Sequence, residues 1–254
     1  MFKYYKIPNI DTAKKIIGKN PTIKFSPAYD LNDPFELKFN LKIDPKSEIN
    51  KELYFKKYPD NNQKHFETWQ NGISDNFIWY TEQEMRNSLA NIYSLAGFSE
   101  SNDNNLMWSH YTDNHKGICV EYSNGLFDYL KSNKNFLASK KIEYSEKPPS
   151  VDTIENSEHQ VAKIFFNKQS DWNYEKEFRI LFRCESQTEF IKIDPNFIKS
   201  VFIGSKCDND ISNKLIEICQ SNNTNIYHGI TMGKTYKTEF KEHKKGKNLI
   251  KSFW

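Results

Sequence analysis

The chain has 254 residues, a mass of 30.1 kDa, a net charge of +3 and a pI near 8.4. Only 37% of it is hydrophobic. However, 15% is aromatic (19 Phe, 14 Tyr, 5 Trp), and aromatic side chains bury enough area to dominate a core. That length supports one large core without a metal or disulfide staple. Near-neutrality excludes disorder driven by self-repulsion and gives no global sign of a nucleic-acid binder.

Cys119, Cys184, Cys207 and Cys219 are scattered, with no Cys-x-x-Cys pair, so neither zinc spacing nor a secreted disulfide scaffold is indicated. The first twenty residues are broken by Lys, Pro, Asn and Asp and lack the apolar run of a secretory signal. No stretch is long and apolar enough to be a membrane span. A cytoplasmic protein with reduced thiols is expected. Heavy use of Lys, Asn and Ile points to an AT-rich bacterial or phage genome.

In chain order, Met1 to Ile7 reads as a strand stopped by Pro8. Asp11 is placed to cap a helix through Ile17, with Gly18 at its end. Thr22 to Phe25 is a second strand, ended by Ser26-Pro27. In Asn32-Asp33-Pro34-Phe35-Glu36, Asp33 as cap, Pro34 at the first helical position and Glu36 at the third predict a helix start. Asn32 has no part in that arrangement and is free to face a pocket. Helices are expected from Pro45 to Tyr58 and from Asn62 to Gly72. Thr81 with Glu84 predicts a capped helix bearing Met85, Leu89, Ile92 and Tyr93.

Leu95 to Ser99 is strand-like, Asp103 caps a short helix over Asn105 to Tyr111, and Gly117 to Tyr122 alternates as a strand. Phe136 to Tyr144 is another strand, broken by Pro148-Pro149. A helix from Asp152 to Lys168 turns Ile154, Val161, Ile164 and Phe165 inward. Tyr174 to Cys184 is the clearest strand, with Glu189 to Ile193 as its hairpin partner. A one-turn helix at Asp194-Pro195, a strand over Val201 to Gly204, a helix over Ile211 to Cys219, and strands at Asn225 to Tyr227 and Thr235 to Phe240 follow. A basic tail begins near Lys241. Helices and strands mix without βαβ alternation and without repeats or linkers, which predicts one α+β domain over 1–254, built on a mainly antiparallel twisted sheet.

The segment Trp172 to Ile180 carries the strongest chemical signal. On a strand, Glu175, Glu177 and Arg179 share one face while Phe178, Ile180 and Phe182 share the other. The apolar set must face the core. The charged set then faces either water, as a weak ion pair, or a cleft. In a cleft, two carboxylates about 6–7 Å apart suit a ribose hydroxyl, a cationic transition state or acid–base work. Trp108 and Tyr111 are i,i+3 partners, His110 and His115 make a poor metal pair, and Ser99 lacks a nucleophile elbow. Phosphate-binding glycine loops are absent.

Several short motifs follow one another along the chain. They are Phe2-Lys3-Tyr4, Asn-Asp-Pro-Phe-Glu at 32–36, Phe-Ser at 98–99, Met-Trp-Ser-His-Tyr at 107–111 and His-Lys-Gly-Ile-Cys at 115–119. They continue with Tyr-Ser-Glu-Lys at 144–147, Trp-x-Tyr-Glu-x-Glu-x-Arg at 172–179 and Val-Phe-Ile-Gly at 201–204. Together they resemble the bacterial family called domain of unknown function 2971. Gly97 stands where that family often has Cys, which removes a cysteine nucleophile at that position.

A second resemblance is to ADP-ribosyltransferases, carried by Asn9-Ile10, Ile16-Ile17, Ile23-Lys24-Phe25-Ser26 and the Glu-x-Glu of Glu175-Lys176-Glu177. It implies NAD as substrate with no metal. Glu177 would stabilise the ribosyl cation, Glu175 would orient a macromolecular acceptor, and Arg179 would complete the catalytic set. Lys3, Tyr4, Asn32, Glu36, Ser99, Trp108 and Tyr111 would bind the nucleotide. Lys3 or Tyr4 would replace the usual first-strand His or Arg. The implied role is a toxin or phage-defence effector. Two other classes stand beside it. One is a nuclease holding Mg²⁺ on Asp33, Glu36, Glu175 and Glu177. The other is a non-catalytic nucleotide, peptide or partner binder anchored by Trp108 and Trp172.

Overall fold

Alternating aromatic and β-branched runs, separated by amphipathic segments, produce a mixed α+β fold in the computed structural model. It describes residues 1–42, 48–72, 75–152, 157–183, 188–231 and 236–243. The chain begins with β1 (Phe2–Tyr5), α1 (Ile10–Ile17) and β2 (Thr22–Pro27), then a 3₁₀ turn, β3 (Asn40–Lys42), α2 (Glu48–Lys57), α3 (Gln63–Gly72) and α4 (Asp75–Ile92). Next come β4 (Tyr93–Ser99), α5 (Asn105–Tyr111), β5 (Ile118–Tyr122), α6 (Asn124–Lys131), β6 (Phe136–Lys141), β7 (Glu143–Ser145) and β8 (Ser150–Asp152). Then follow α7 (Ser157–Phe165), β9 (Asn167–Gln169), a 3₁₀ helix over Ser170–Glu175, β10 (Glu177–Arg183) and β11 (Glu189–Lys192). A 3₁₀ turn at Pro195–Phe197, β12 (Ile198–Ile203), α8 (Asn209–Ser221), β13 (Asn225–Ile230) and β14 (Glu239–Glu242) complete it.

One ten-stranded sheet dominates, in the order β11-β2-β4-β1-β5-β12-β13-β14, with β10 added to β4 and β6 added to β10. All its pairings are antiparallel except β12 with β13, which α8 connects. On one face, Ala13, Ile16 and Ile17 of α1, Leu126 and Leu130 of α6, and Leu215 and Ile216 of α8 pack against Phe98, Val120, Ile180, Phe182 and Val201. Strand alternation sends the neighbouring residues to the other face. There, Leu95 and Leu181 join Phe165, Ile164 and Ala90 in one patch, while Tyr4, Cys119 and Phe202 join Trp108 and Met107 in another. Glu177 and Arg179 lie on this second face of β10.

Several expectations are corrected. The cap of α1 is Asn9, not Asp11: its extended backbone lets the side chain accept from Thr12 N at 2.9 Å. Gly18 is extended rather than left-handed, but a Cβ there would strike the Lys14 carbonyl. Asp33 starts a turn and no helix. It accepts from Phe35 N at 2.9 Å, but Leu37 at φ 60° ends the turn and Glu36 is drawn inward. Thr81 lies inside α4, because tertiary packing of the apolar face extends that helix beyond its local cap signal. Asn104, not Asp103, caps α5 through Leu106 N and Met107 N.

The expected strand over Phe136 to Tyr144 divides at Ile142, whose side chain turns into the core while its N–H donates to Glu177 O. α7 stops at Phe165 and β9 pairs in parallel with β7. β11 pairs with β2, not β10, since β4 and β6 already occupy both edges of β10. Lys241 and Glu242 belong to β14 rather than to a tail. Ile154, Cys184, Thr235 and the tail beyond His243 fall outside the described residues.

Candidate functional site

The sheet is split beside Gly97. One edge of β4 is shared by two strands: β1 meets it only at Ser99, through Phe2, and β2 meets it only at Leu95 and Ser94. Between those pairings Ala96, Gly97 and Phe98 face an opening. α1 connects β1 to β2 across it, and the result is a cavity of about 480 Å³. That is within the size range of small-molecule sites. Lys3 reaches across the split and donates to Gly97 O at 2.8 Å.

The cavity floor is a buried ion network. Arg179 is only 1% exposed and grips Glu177 in bidentate fashion, Nε to Oε1 and Nη2 to Oε2, each at 2.9 Å. Its Nη1 donates to Glu36 Oε1 at 2.6 Å and to the Phe165 carbonyl at 2.8 Å. Lys168, also buried, lies 2.7 Å from Glu175 Oε2 and 3.8 Å from both Glu36 and Glu177, with Trp172 beneath its ammonium at 4.5 Å. Bare carboxylates at this depth would be prohibitively costly, and each is compensated by fixed cations and hydrogen bonds. The face expected to be either solvated or cleft-lining is therefore cleft-lining and buried.

Local backbone features make this arrangement possible. Lys176 takes a left-handed conformation, φ 44°, where the 3₁₀ helix passes into β10. This left-handed residue, costing about 1–2 kcal/mol, removes Glu175 from the strand and turns it toward Tyr111 and Lys168. Tyr111 donates to Glu175 Oε1 at 2.5 Å. Ser99 donates to the Glu175 carbonyl at 2.7 Å, and the Glu177 N–H is capped by Tyr144 at 2.9 Å. Gly97 is required by close approach: a Cβ there would collide with Glu177 Oε1 and sit 3.1 Å from its carboxyl carbon.

The environments of the two carboxylates drive them apart. Burial raises Glu175, with the nearby Glu177 charge adding to it against Lys168. Burial also pushes Glu177 upward, but the Arg179 guanidinium, helped by Lys168 and Lys3, outweighs it and holds Glu177 below the usual carboxylate range. Burial pulls Lys3 down to about 8. Burial and the Glu175 charge push the Tyr111 hydroxyl upward, so it acts as a donor. Paired acids split in this way are suited to separate roles, one holding or receiving a proton and the other remaining ionised.

Lys3, Tyr4, Asn32, Glu36, Ser99, Tyr111, Glu175, Glu177 and Arg179 all line this one cavity. Trp108 does not. It is fully buried beneath α5, donating to Asn102 O at 2.7 Å and packing against Tyr4, so it supports the wall rather than forming it. Trp172 acts indirectly, through Lys168. Lys168 and Phe190 carry no sequence signal for this cavity, and Gly97, singled out only as a missing cysteine, matters instead for the space it leaves. Lys168 read as the end of a helix, and nothing in its local sequence shows the three carboxylates it meets. Among the described residues, no group of three or more His, Cys, Asp and Glu is placed to hold a metal. Arg179 and Lys168 already occupy the carboxylate oxygens that a cation would need.

Residues 107–180 match the family model described as Protein of unknown function (DUF2971), which spans Tyr111, Lys168, Glu175, Glu177 and Arg179 of the cavity. No curated protein and no solved structure matches the chain. No helix among the described residues is long and apolar enough to cross a membrane.

Proposed function

We propose that this chain, whose residues 107–180 match the DUF2971 family model, transfers the ribosyl group of an NAD-type dinucleotide at the split-sheet cavity. The observation that carries this reading is the pair of buried carboxylates, Glu175 raised and Glu177 held ionised, in a cavity of ligand size. The ionised Glu177 faces the positive charge that develops on the ribose as its bond to nicotinamide breaks. That charge exists only near the transition state, so the interaction favours it over the ground state. The bonding electron pair leaves with neutral nicotinamide. An acceptor nucleophile then bonds to the ribose carbon and passes its proton to Glu175, which Tyr111 and Lys168 orient. Arg179 acts through Glu177 as a positioning residue. Uncontrolled NAD consumption would make the chain a toxin or defence effector.

The test is nicotinamide release from NAD by the purified chain. Release is expected from the native protein, to be abolished in Glu177→Gln and to fall in Glu175→Gln, with folding confirmed by circular dichroism. Release that persists in a folded Glu177→Gln variant overturns the assignment. One feature favours a non-catalytic nucleotide binder instead: Arg179 engages both Glu177 oxygens. That reading predicts NAD binding by calorimetry with no nicotinamide released.

A further inference from the structure

The cavity is electrically lopsided. Its carboxylates gather on β10, the 3₁₀ helix before it and the turn after β2, whereas the wall made by β1, α1 and β2 presents Lys6, Lys15 and Lys24. These lysines are exposed, and among the described residues none has an ion-pair partner. This differs from Lys14 on the same helix, which is paired with Asp11 at 3.2 Å. Thr12, Thr22 and Ser26 add hydroxyls to the same wall, and Thr22 donates to Lys15 O at 3.0 Å, tying the end of α1 to β2.

Beside Lys24 stands Phe190 of β11, directly opposite in register and therefore on the same face of the pair. Phe190 lines the cavity and is 57% exposed, so much of its ring surface is open to a ligand. A cationic wall beside an exposed aromatic ring matches a phosphate chain attached to a flat base.

We propose that this wall is a diphosphate subsite, with Lys6, Lys15 and Lys24 on the phosphates and Phe190 stacked on the nucleobase, so that the ligand is a nucleoside diphosphate ester. This rests on the glycosyl-transfer reading only for the far end of the ligand, the sugar placed at Glu175 and Glu177. The half-buried Lys3 ammonium, which lines the cavity and interacts with both Glu177 and Lys24, sits between the two ends.

Calorimetric titration of the full chain with ADP, adenosine and inorganic pyrophosphate tests it. ADP is expected to bind at least about tenfold more tightly than either adenosine or pyrophosphate, with affinity that weakens as salt rises. Lys15→Gln/Lys24→Gln should weaken ADP at least about tenfold and leave adenosine unchanged, while Lys131→Gln/Lys134→Gln, away from the cavity, should change neither. Phe190→Ala should weaken both ADP and adenosine. Equal binding of ADP and adenosine, ADP affinity indifferent to Lys15→Gln/Lys24→Gln, or pyrophosphate binding as well as ADP would each overturn the subsite. ADP binding without nicotinamide release sinks the transfer reaction alone. NAD turnover with an unchanged KM in Lys15→Gln/Lys24→Gln sinks the diphosphate subsite alone.

Discussion

The two ends of the cavity differ in how their charges are satisfied. At the β10 end, Glu36, Glu175 and Glu177 are met by Arg179 and Lys168 through contacts of 2.6–2.9 Å, nearly out of reach of water. At the opposite end, Lys6, Lys15 and Lys24 stand exposed, with no ion-pair partner among the described residues. The first end is a finished piece of structure whose groups are held in one geometry before any ligand arrives. The second is unfinished and cheap to leave so, because exposed ammonium groups are well hydrated. Preorganisation and recognition are thus separated along one cavity, and each end should fail differently when altered.

The largest expected effect is at the compensated end. Arg179→Met leaves Glu36 and Glu177 buried without their guanidinium and should destabilise the fold by about 3–5 kcal/mol, read by urea unfolding. A loss below about 1 kcal/mol would show that these charges are not truly desolvated. Gly97→Ala should follow at about 1–3 kcal/mol. Its Cβ would displace a carboxylate that Arg179 prevents from moving aside, so both melting temperature and nicotinamide release should fall.

Proton linkage sharpens the contrast. Glu177 titrates lower in the folded chain, so on acidification the unfolded chain takes up its proton first. The stability that Glu177 contributes is therefore lost as pH falls below the ordinary carboxylate range, and Glu177→Gln should flatten that limb. Lys3 acts with the same sign but in the alkaline range. Its folded value near 8 is below the ordinary 10.5, so between these values the unfolded chain binds more protons and stability rises with pH. Lys3→Met should remove that rise in pH-dependent melting curves. The smallest effects belong to the surface. Breaking the exposed Lys116–Asp113 pair by Lys116→Ala should cost below about 0.5 kcal/mol, and Lys15→Gln/Lys24→Gln should be as mild on stability while still changing anion binding.

Much of the site was legible wherever a regular element carried it. Strand alternation put Glu177 and Arg179 together and opposite Ile180 and Phe182, and β10 does so. Glu175 reaches the same cavity by a route that alternation does not describe, because the left-handed Lys176 separates it from β10, which begins at Glu177. From its local sequence Glu36 reads as a helix-start residue, and only the resemblance brings it to the cavity, since capping chemistry gives no sign of an arginine 143 positions away. Lys168 had no readable signal, and Trp108 was assigned a ligand although its ring is wholly spent on packing.

Periodicity, aromatic content and turn residues point to most of the longer strands and helices and to an α+β fold on a mainly antiparallel sheet, though not to α6, β3, β8 or β9. These are near-neighbour properties of the backbone and its side chains. The opening of the sheet is different in kind. It depends on β1 and β2 meeting β4 at separate points along one edge, and on Gly97 leaving room there for Glu177. Only the tertiary structure decides such pairings, because residues distant along the chain acquire their charges' environment from one another and not from their neighbours.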